Sequence, residues 1–423
     1  MRVLAQCSAA MLAASLLVVS APFAGAIHAD DTRSMVPDAS QAHQQSVRFA
    51  TYNASLNRSA AGDLVRDLST PANPQARAIA EVMQINRPDV VLLNEFDYAA
   101  GNEAADLFNQ NYLRISQNGK DPLDYPYVYT AESNTGVPSG LDLNNDGAVG
   151  GPDDALGFGA FEGQYGMVIY SRYPIQAGAV RTFQDFLWAD MPGALLPDNS
   201  ATDAPDDWYS SDELAALPLS SKSHWDVPVN IGGRTIHVLA SHPTPPVFDG
   251  VEDRNGKRNS DEIRFWSDYV AGGRDASYIY DDEGAAGGLK RGERFVIMGD
   301  QNSDPLDGGS VEGSIDQLLG NQLVQDPLPS SNGAVEASAL QGGANADHLG
   351  DPRFDTADFE DRNAGNLRAD YVLPSRNLKV SASGVYWPRA GSPGSELTGI
   401  FPFPTSDHRL VHLDVFVSGA KLR

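Results

Sequence analysis

Short apolar runs that end in polar residues recur along this chain and predict the strands of a buried sheet. Continuous apolar runs, without strict alternation, are typical of strands covered on both faces. Such runs predict strands at 47–52, 89–95, 166–170, 226–231, 235–241, 294–298, 369–373 and 410–417. Apolar residues at helical spacing predict a helix at 74–86, which Pro74 suits as a first turn, and further helices at 260–270 and 311–319. Mixed strands and helices indicate an α/β (α+β) protein.

Three long irregular stretches, at 184–222, 243–259 and 325–367, separate these elements. They are rich in Pro, Gly, Asp and Ser, and loops of that length inside a compact domain are usually functional or disordered. Because predicted strands continue after each stretch, we interpret all three as insertions around a site in one domain at 47–423, and not as linkers between domains.

The N-terminal 26 residues have the features of a secretory signal peptide. Arg2 is followed by an apolar run at 11–19 and by the small residues Ala24, Gly25 and Ala26. The run is shorter than the roughly 20 residues that a membrane-spanning helix needs. We therefore predict a signal peptide at 1–26, a disordered lead-in at 27–46 and an extracellular protein without a membrane anchor. The single cysteine, Cys7, would be removed, so the mature chain would contain no disulfide.

The charge balance narrows the classes of molecule that the protein is expected to bind. The chain has 56 acidic and 30 basic residues and a formal net charge of −26. This disfavours the basic groove of an architectural or processive nucleic-acid binder, although a nuclease with cations at its site is still possible. No later apolar stretch reaches membrane length, so we expect no stable membrane association.

Polar residues with the chemistry of phosphoryl transfer follow the predicted strands. They are Asn53, Glu95, His242, Asp300, Asn302, Asp370, Asp407 and His408. Carboxylate and amide oxygens are suitable ligands for Mg²⁺ or Mn²⁺, which can offset charge at phosphorus. An Asp beside an Asn can activate and orient water, and a His paired with an Asp can donate a proton. Each residue alone could belong to an ordinary turn or a solvated surface. The ordered set at strand ends predicts metal-assisted hydrolysis of phosphate esters.

The same set of motifs resembles the endonuclease/exonuclease/phosphatase (DNase I-like) superfamily over about residues 47–417. The motifs are Thr-Tyr-Asn at 51–53, Asn-Glu-Phe at 94–96, Ser-His-Pro at 241–243, Gly-Asp-Gln-Asn at 299–302, Ala-Asp-Tyr-Val-Leu-Pro at 369–374 and Ser-Asp-His-Arg-Leu at 406–410. The resemblance implies a four-layer α/β sandwich, in which two mixed β-sheets pack face to face with helices outside.

The resemblance also implies a role for each matched residue. Glu95 matches the principal metal ligand, and Asn53 and Asp407 match groups near the same cation. Asp300 matches the residue that activates water, and Asn302 matches its phosphate-orienting partner. His408 matches the phosphate-facing histidine that Asp370 pairs with, and His242 matches an extra histidine of the DNase-like and sphingomyelinase-like branches. Two positions depart from the pattern. Gln301 replaces a common Phe or Leu, and Gln164 replaces a Glu that would support His242.

A second metal site is predicted at 142–153. Asp142, Asn144 and Asp146 occupy positions 1, 3 and 5 of an EF-hand-like loop, Gly147 occupies position 6, and Asp153 occupies position 12. The carbonyl of Ala148 would be the ligand from position 7. The alternative is a surface turn rich in Asp, Asn and Gly. We interpret the segment as a structural Ca²⁺ site.

Several functions are compatible with these patterns. The first is a secreted divalent-metal-dependent phosphoesterase, and a basic group at Arg254, Lys257 and Arg258 is a candidate for binding substrate phosphate. The main alternative is an extracellular non-specific endonuclease with nucleic acid as substrate. A sphingomyelinase-like phosphodiesterase and a non-catalytic binding module are further alternatives.

Overall fold

The computed structural model of this protein describes residues 45–418. The strands in that part of the chain are β1 (Gln45–Leu56), β2 (Val90–Phe96), β3 (Tyr127–Tyr129), β4 (Met167–Ser171), β5 (Arg181–Thr182), β6 (Trp225–Ile231), β7 (Arg234–Ala240), β8 (Phe295–Asp300), β9 (Ala357–Asp358), β10 (Asn366–Leu367), β11 (Asp370–Pro374), β12 (Lys379–Val385) and β13 (Val411–Val417). The α-helices are α1 (Asp63–Leu68), α2 (Pro74–Asn86), α3 (Glu103–Phe108), α4 (Ser211–Leu214), α5 (Arg254–Ala271), α6 (Asp316–Leu319) and α7 (Asn332–Gln341).

Most strands belong to two mixed sheets. The first sheet has the order β12-β13-β1-β2-β4-β3, and the second has the order β11-β8-β7-β6-β5. Each sheet contains one parallel pair, β1 with β2 and β7 with β8, at its centre. The remaining pairs in both sheets are antiparallel, and β9 and β10 form a separate ribbon. The parallel pairs place the ends of neighbouring strands side by side at one edge of each sheet.

Three apolar cores divide the domain into layers. The first core combines residues of both sheets, such as Phe49 and Leu92 with Val238 and Met298. The second lies on the outer face of the first sheet, where Val91 packs with Ile79 of α2. The third lies on the outer face of the second sheet, where Ile297 packs with Trp266 of α5. The domain therefore has four layers, in the order helix, sheet, sheet, helix. The predicted α/β sandwich is therefore confirmed.

Local chemistry accounts for the ends of α2. The side chain of Asn73 accepts a hydrogen bond from the Ala76 N–H at 3.0 Å, and Pro74 stands at the first helical position. An N-cap side chain satisfies a backbone donor that the helix leaves open, and Pro has no N–H to lose there. Arg87 ends the helix in the left-handed region with φ of 50°. The predicted bounds of this helix, 74–86, are correct.

Other predicted bounds require correction. The predicted strands are all present, with ends that differ by a few residues. Helix α5 begins at Arg254 rather than at residue 260, because its polar first turns give no apolar periodicity. In the segment 311–319, only Asp316–Leu319 is α-helical. The predicted insertions are not wholly irregular, since they contain α4, the start of α5, and α7 with β9 and β10.

The N-terminal predictions fall almost entirely outside the described residues. The predicted signal peptide at 1–26 lies there, as does the predicted lead-in up to residue 44, whereas β1 already begins at Gln45. Within residues 45–418, no helix combines the length and the apolar character that a membrane crossing requires.

Candidate active site

The residues predicted for catalysis come together where the two sheets meet. Asn53 and Glu95 lie on the parallel strands β1 and β2, while Asp300 ends β8 beside Asp370 at the start of β11. His242 follows β7 by two residues. Asp407 and His408 precede β13 and are held by backbone hydrogen bonds between Asp358 N–H and Asp407 and between Arg409 N–H and Thr356. Residues far apart in sequence therefore meet at strand ends, as in other open sheets.

Asp300 is the central group of this cluster. Its Oδ2 accepts a hydrogen bond from Asn53 Nδ2 at 3.0 Å and lies 3.5 Å from Nε2 of both His242 and His408. Its Oδ1 accepts the Asn302 N–H at 2.9 Å. Burial raises the pKa of Asp300 to about 6, and repulsion from Asp370 adds to this, while His408 and Asn53 oppose it. A buried carboxylate with a pKa near neutrality is suited to accept a proton from water.

His408 and Asp370 form a buried pair. His408 Nδ1 lies 2.8 Å from Asp370 Oδ2, and the Thr356 hydroxyl donates to the same oxygen at 2.9 Å. Burial disfavours the charged imidazolium, but Asp370 and Asp300 outweigh burial and raise the pKa of His408 well above its usual value. The pair thus presents a protonated Nε2 toward Asp300 and can donate a proton or stabilise negative charge.

The pKa of His242 is shifted in the opposite direction to that of His408. Burial, followed by the positive charges of Lys222 and His408, lowers its pKa well below the usual value. Its Nδ1 has no hydrogen-bond partner in the described part of the chain. Gln164 does not supply one, because its amide binds the Arg58 carbonyl at 2.7 Å and the Ala160 N–H at 2.6 Å. The departure at Gln164 therefore leaves His242 without the support that a carboxylate would provide.

Oxygen ligands surround the position predicted for the cation. Asn53 Nδ2 donates to Glu95 Oε1 at 3.0 Å, and Ser55 Oγ lies 3.4 Å from Asp407 Oδ1. Burial raises the pKa of Glu95, and the charges of Asp407 and Asp300 raise it further, against the hydrogen bond from Asn53. Glu95 also has a positive φ of 55°, which is strained for a residue with a side chain. Crowded, half-buried carboxylates such as Glu95 and Asp407 fit a divalent cation, since its charge would relieve their repulsion.

A different grouping also has the composition of a cation site. Single ligand atoms of Asp300, Asp370 and His408 lie within 4.8 Å of one another. Since His408 Nδ1 is bound to Asp370 Oδ2, this grouping offers fewer unengaged ligand atoms than its composition suggests. The oxygen-rich set around Glu95 suits Mg²⁺ or Mn²⁺ better. Ligation by Asn53, Glu95 and Asp407 stays a prediction.

The Gly-Asp-Gln-Asn turn at 299–302 is fixed by close packing. Gly299 has a φ of 153°, and a Cβ atom there would lie 2.0 Å from the Ser241 carbonyl oxygen. Gln301 is fully buried and donates to Ser241 Oγ at 3.2 Å. Asn302 has a φ of 51° and donates to the Pro243 carbonyl at 3.1 Å. This turn sets Asp300 and Asn302 against the end of β7, close to His242.

A cavity of about 420 Å³ opens beside Glu95 and His242. Its walls include Lys222, Arg254, Arg258, Leu143, Asp153, Phe158, Tyr165, Tyr209, Val247 and Phe248. Arg254 and Arg258 thus reach the cavity as predicted for a substrate-binding group, whereas Lys257 is not among its walls. All three stand in the first turns of α5 and not in a loop. Arg258 donates to the carbonyls of Leu219, Leu156 and Pro218, so part of its role is structural.

The sequence interpretation missed several residues of the site. Lys222 belongs to a polar run before β6 and lines the cavity. Thr356 belongs to the predicted insertion 325–367, and its hydroxyl donates to Asp370 and orients it. Asn94 accepts the Asp300 N–H at 3.3 Å. A lysine among serines just before a buried strand was the available signal for Lys222. No sequence signal pointed to Thr356, because only the packing of the domain brings it to Asp370.

The predicted Ca²⁺ loop is well ordered by its own side chains. Asp142 accepts the N–H groups of Asp146 and Gly147, and Asn144 accepts the Asp146 N–H at 2.9 Å. The acid after position 12, Asp154, accepts the N–H groups of Leu143 and Gly150. Asp153 instead lines the large cavity. The structure brings Asp142, Asn144, Asp146 and Ala148 into one turn, and Ca²⁺ binding there stays a prediction.

Comparison with known proteins agrees with this architecture. Residues 50–408 match the model of the Endonuclease/Exonuclease/phosphatase family. No curated protein matches the chain. Among solved structures, an endonuclease/exonuclease/phosphatase from Beutenbergia cavernae is 18% identical, with 90% of this chain and 74% of that chain covered and a TM-score of 0.47. Beta toxin from Staphylococcus aureus is 15% identical, with 87% and 99% covered and a TM-score of 0.43.

A mannosyl-6-phosphatase from Bacteroides thetaiotaomicron is 12% identical, with 88% of this chain and 100% of that chain covered and a TM-score of 0.41. The family match spans most of the chain and includes every residue of the catalytic cluster. The chain therefore belongs to the endonuclease/exonuclease/phosphatase family, and it is a hydrolase of phosphate ester bonds.

Proposed function

We propose that this protein is an exported, divalent-metal-dependent phosphoesterase in which water attacks phosphorus directly. The observation that carries the proposal is the environment of Asp300. One buried carboxylate binds Asn53 and the Asn302 N–H and lies 3.5 Å from the Nε2 atoms of two histidines. A base, a hydrogen-bond donor and a protonated histidine in one buried cluster supply the groups that ester hydrolysis requires.

The residues of the cluster divide the chemistry between them. Asp300 accepts the proton of the attacking water, and Asn302 orients the phosphoryl group. His408, held by Asp370, donates to a phosphoryl oxygen or to the leaving group. His242 is neutral. Its Nε2 lies near Asp300, and its other ring nitrogen, Nδ1, is offered to the substrate. These assignments agree with the opposite pKa shifts of the two histidines.

Asn53, Glu95 and Asp407 would hold the catalytic cation, Mg²⁺ or Mn²⁺. When bound, it would neutralise phosphate charge and polarise the phosphoryl group. The protein's own contribution is to crowd carboxylates in a buried space, so that the cation is attracted and its position is fixed. Asn53 links this region to Asp300, because one amide group donates to both Glu95 and Asp300.

The shape of the site favours a compact ester as substrate. The cavity is bounded by loops, and a volume of about 420 Å³ falls within the range of small-ligand sites. An extended nucleic acid would need a long positively charged surface, and this chain carries a net charge of −26. Nuclease activity is the second candidate, because the two histidines that flank Asp300 match the DNase-like pattern.

A panel of substrates tests the proposal. The chain from residue 27 onward, with Mg²⁺, Mn²⁺ or Ca²⁺, is assayed on p-nitrophenyl phosphate, bis-p-nitrophenyl phosphate, plasmid DNA and sphingomyelin. We expect metal-dependent turnover of the small esters that Asp300→Ala and His408→Ala abolish. Asp124→Asn, which removes an exposed carboxylate paired with Arg114, is the matched control and should behave as wild type. Absence of metal-dependent turnover on every ester would contradict the proposal.

Export is tested separately. If residues 1–26 are a signal peptide, the protein secreted by its native host begins at residue 27, which N-terminal sequencing of the culture supernatant determines. Recovery of the full-length chain from the cell interior would contradict export, without affecting the proposed chemistry.

A further inference from the structure

Lys222 is a buried cation in the wall of the cavity beside Glu95 and His242. It lies in the Ser-Ser-Lys-Ser run before β6, and only 6% of its surface is exposed. Within residues 45–418, its ammonium group has neither a hydrogen-bond partner nor an ion-pair partner. Burial lowers the pKa of Lys222, against the opposing attraction of nearby carboxylates. Since burying an unpaired ammonium group is costly, a cation in this position points to an anionic ligand.

The carboxylates whose charges act on Lys222 already accept hydrogen bonds from other groups. Glu262 accepts hydrogen bonds from the Ser221 N–H at 2.7 Å, the Ser221 hydroxyl at 3.0 Å and the Thr244 N–H at 2.6 Å. Asp300 and Glu95 both accept from Asn53. These acids therefore attract Lys222 only at longer range. Its three N–H donors are left for a molecule in the cavity, which Lys222 lines together with Glu95 and His242.

The other cations of the cavity are held by the protein. Arg254 forms an ion pair with Glu252, and Arg258 donates to three backbone carbonyls. They contribute positive charge to the cavity, but protein oxygens already bind part of their N–H groups. Lys222 is thus the cavity cation best placed to bind a ligand anion directly.

We propose that Lys222 binds the phosphoryl group of the substrate, that this substrate is a phosphomonoester, and that the cavity holds its organic part. The proposal rests on the proposed function. Besides the neutral Asn302 and His242, three positively charged groups can act on the phosphoryl group: Lys222, the protonated His408 and the cation expected at Glu95. A monoester presents three terminal oxygens and nearly two negative charges at neutral pH, whereas a diester presents two such oxygens and one charge. The positive charge that Lys222 adds to the site therefore favours the monoester, which carries the larger negative charge.

Two esters of the same leaving group test this inference. Lys222→Met is compared with wild type on p-nitrophenyl phosphate and on bis-p-nitrophenyl phosphate, in the presence of Mn²⁺. We expect kcat/KM for the monoester to fall roughly 100-fold, as when a preorganised donor to the reacting oxygen is removed. The loss for the diester should be at least tenfold smaller. Lys290→Met removes the same charge from an exposed residue outside the cavity walls and should leave both esters within about twofold of wild type.

Several results would overturn the proposal. A folded Lys222→Met or Lys222→Gln variant with wild-type kcat/KM on the monoester would exclude phosphoryl binding by Lys222. Equal losses of kcat/KM on both esters would exclude the monoester assignment. A higher kcat/KM of wild type for the diester would exclude it as well, and this second test does not depend on whether a variant folds.

A binding measurement separates this inference from the proposed function. If wild type hydrolyses no ester, the proposed function fails, and calorimetric titration with inorganic phosphate still decides the role of Lys222. Binding that is at least tenfold weaker in Lys222→Gln than in Lys290→Met supports the assignment. Equal binding by the two variants overturns it.

Discussion

The catalytic cluster and the cavity beside it share Glu95 and His242 but are built in different ways. The cluster takes its side chains from the ends of β1, β2, β8 and β11, and Asn53, Asp300 and Asp370 are almost fully buried. The cavity takes most of its walls from irregular segments and the rest mainly from the first turns of α5, and Phe158 and Phe248 are 58% and 87% exposed. One region is therefore part of the sandwich, whereas the other is attached to its edge.

This difference separates the reaction from the choice of substrate. Hydrogen-bonded side chains on packed strands hold reacting groups in place, which chemistry at phosphorus requires. Loops tolerate changes of length and sequence, so they can alter the shape of a cavity without disturbing the strands. Changes in the cluster should therefore affect every substrate alike, and changes in the cavity should affect substrates unequally.

The largest effect is expected at Asp300. Asp300→Asn keeps the shape of the side chain but removes the base, so kcat should fall roughly 10³-fold on every ester that the enzyme cleaves. Steady-state kinetics on the monoester and the diester measure this. A loss that differs strongly between the two esters would show that the cluster also selects substrate, and would contradict the division proposed here.

A smaller effect, visible mainly in pH dependence, is expected at Asp370. Asp370 and Asp300 raise the pKa of His408, so His408 stays protonated at neutral pH. Asp370→Asn should lower that pKa, so that His408 loses its proton at a lower pH than in wild type. Activity that needs the imidazolium should therefore begin to decline at a lower pH. We expect kcat near neutral pH to fall about 100-fold, with the alkaline limb moved toward acid. A pH–rate profile with an unchanged alkaline limb would exclude this role for the pair.

A modest and selective effect is expected at Phe158. Removal of an aromatic wall by Phe158→Ala should raise KM for p-nitrophenyl phosphate roughly 3- to 10-fold and leave kcat nearly unchanged. A small alkyl phosphate, which cannot contact this ring, serves as the comparison substrate. If KM for both substrates rises equally, the cavity does not hold the organic group of the ester.

The Ca²⁺ loop should affect stability and leave activity unchanged. Saturating Ca²⁺ should raise the Tm of wild type by roughly 5 °C, and a variant with Asp142→Ala and Asp146→Ala should lose this increase. Differential scanning calorimetry with Ca²⁺ or with chelator measures the difference, and Mg²⁺ is the control cation. An identical Ca²⁺-dependent increase in the double variant would exclude the predicted site.

Much of the sandwich was accessible from apolar pattern alone. The runs that became β2, β4, β6 and β8 were predicted to within a few residues, because strands covered on both faces require nearly continuous apolar residues. Short edge strands such as β3 and β5, and the polar strand β12, were missed because little of their surface is buried. The first turns of α5 were missed for a different reason: they include buried residues such as Asn259, but those residues are polar and give no apolar periodicity.

The sequence by itself determined most of the strands and the polar side chains at their ends that are proposed to react. Asp300, Asn302, Asp370 and His408 stand next to apolar runs, so their motifs survive in the linear order. Only the tertiary structure decided how Lys222, Thr356 and Gln164 act. Thr356 contacts Asp370, Gln164 turns toward Arg58 instead of His242, and Lys222 stays without a partner in the described part of the chain. Hydrophobic burial sets the position of strands through residue type, whereas a polar contact across a loop depends on the packing of the whole domain.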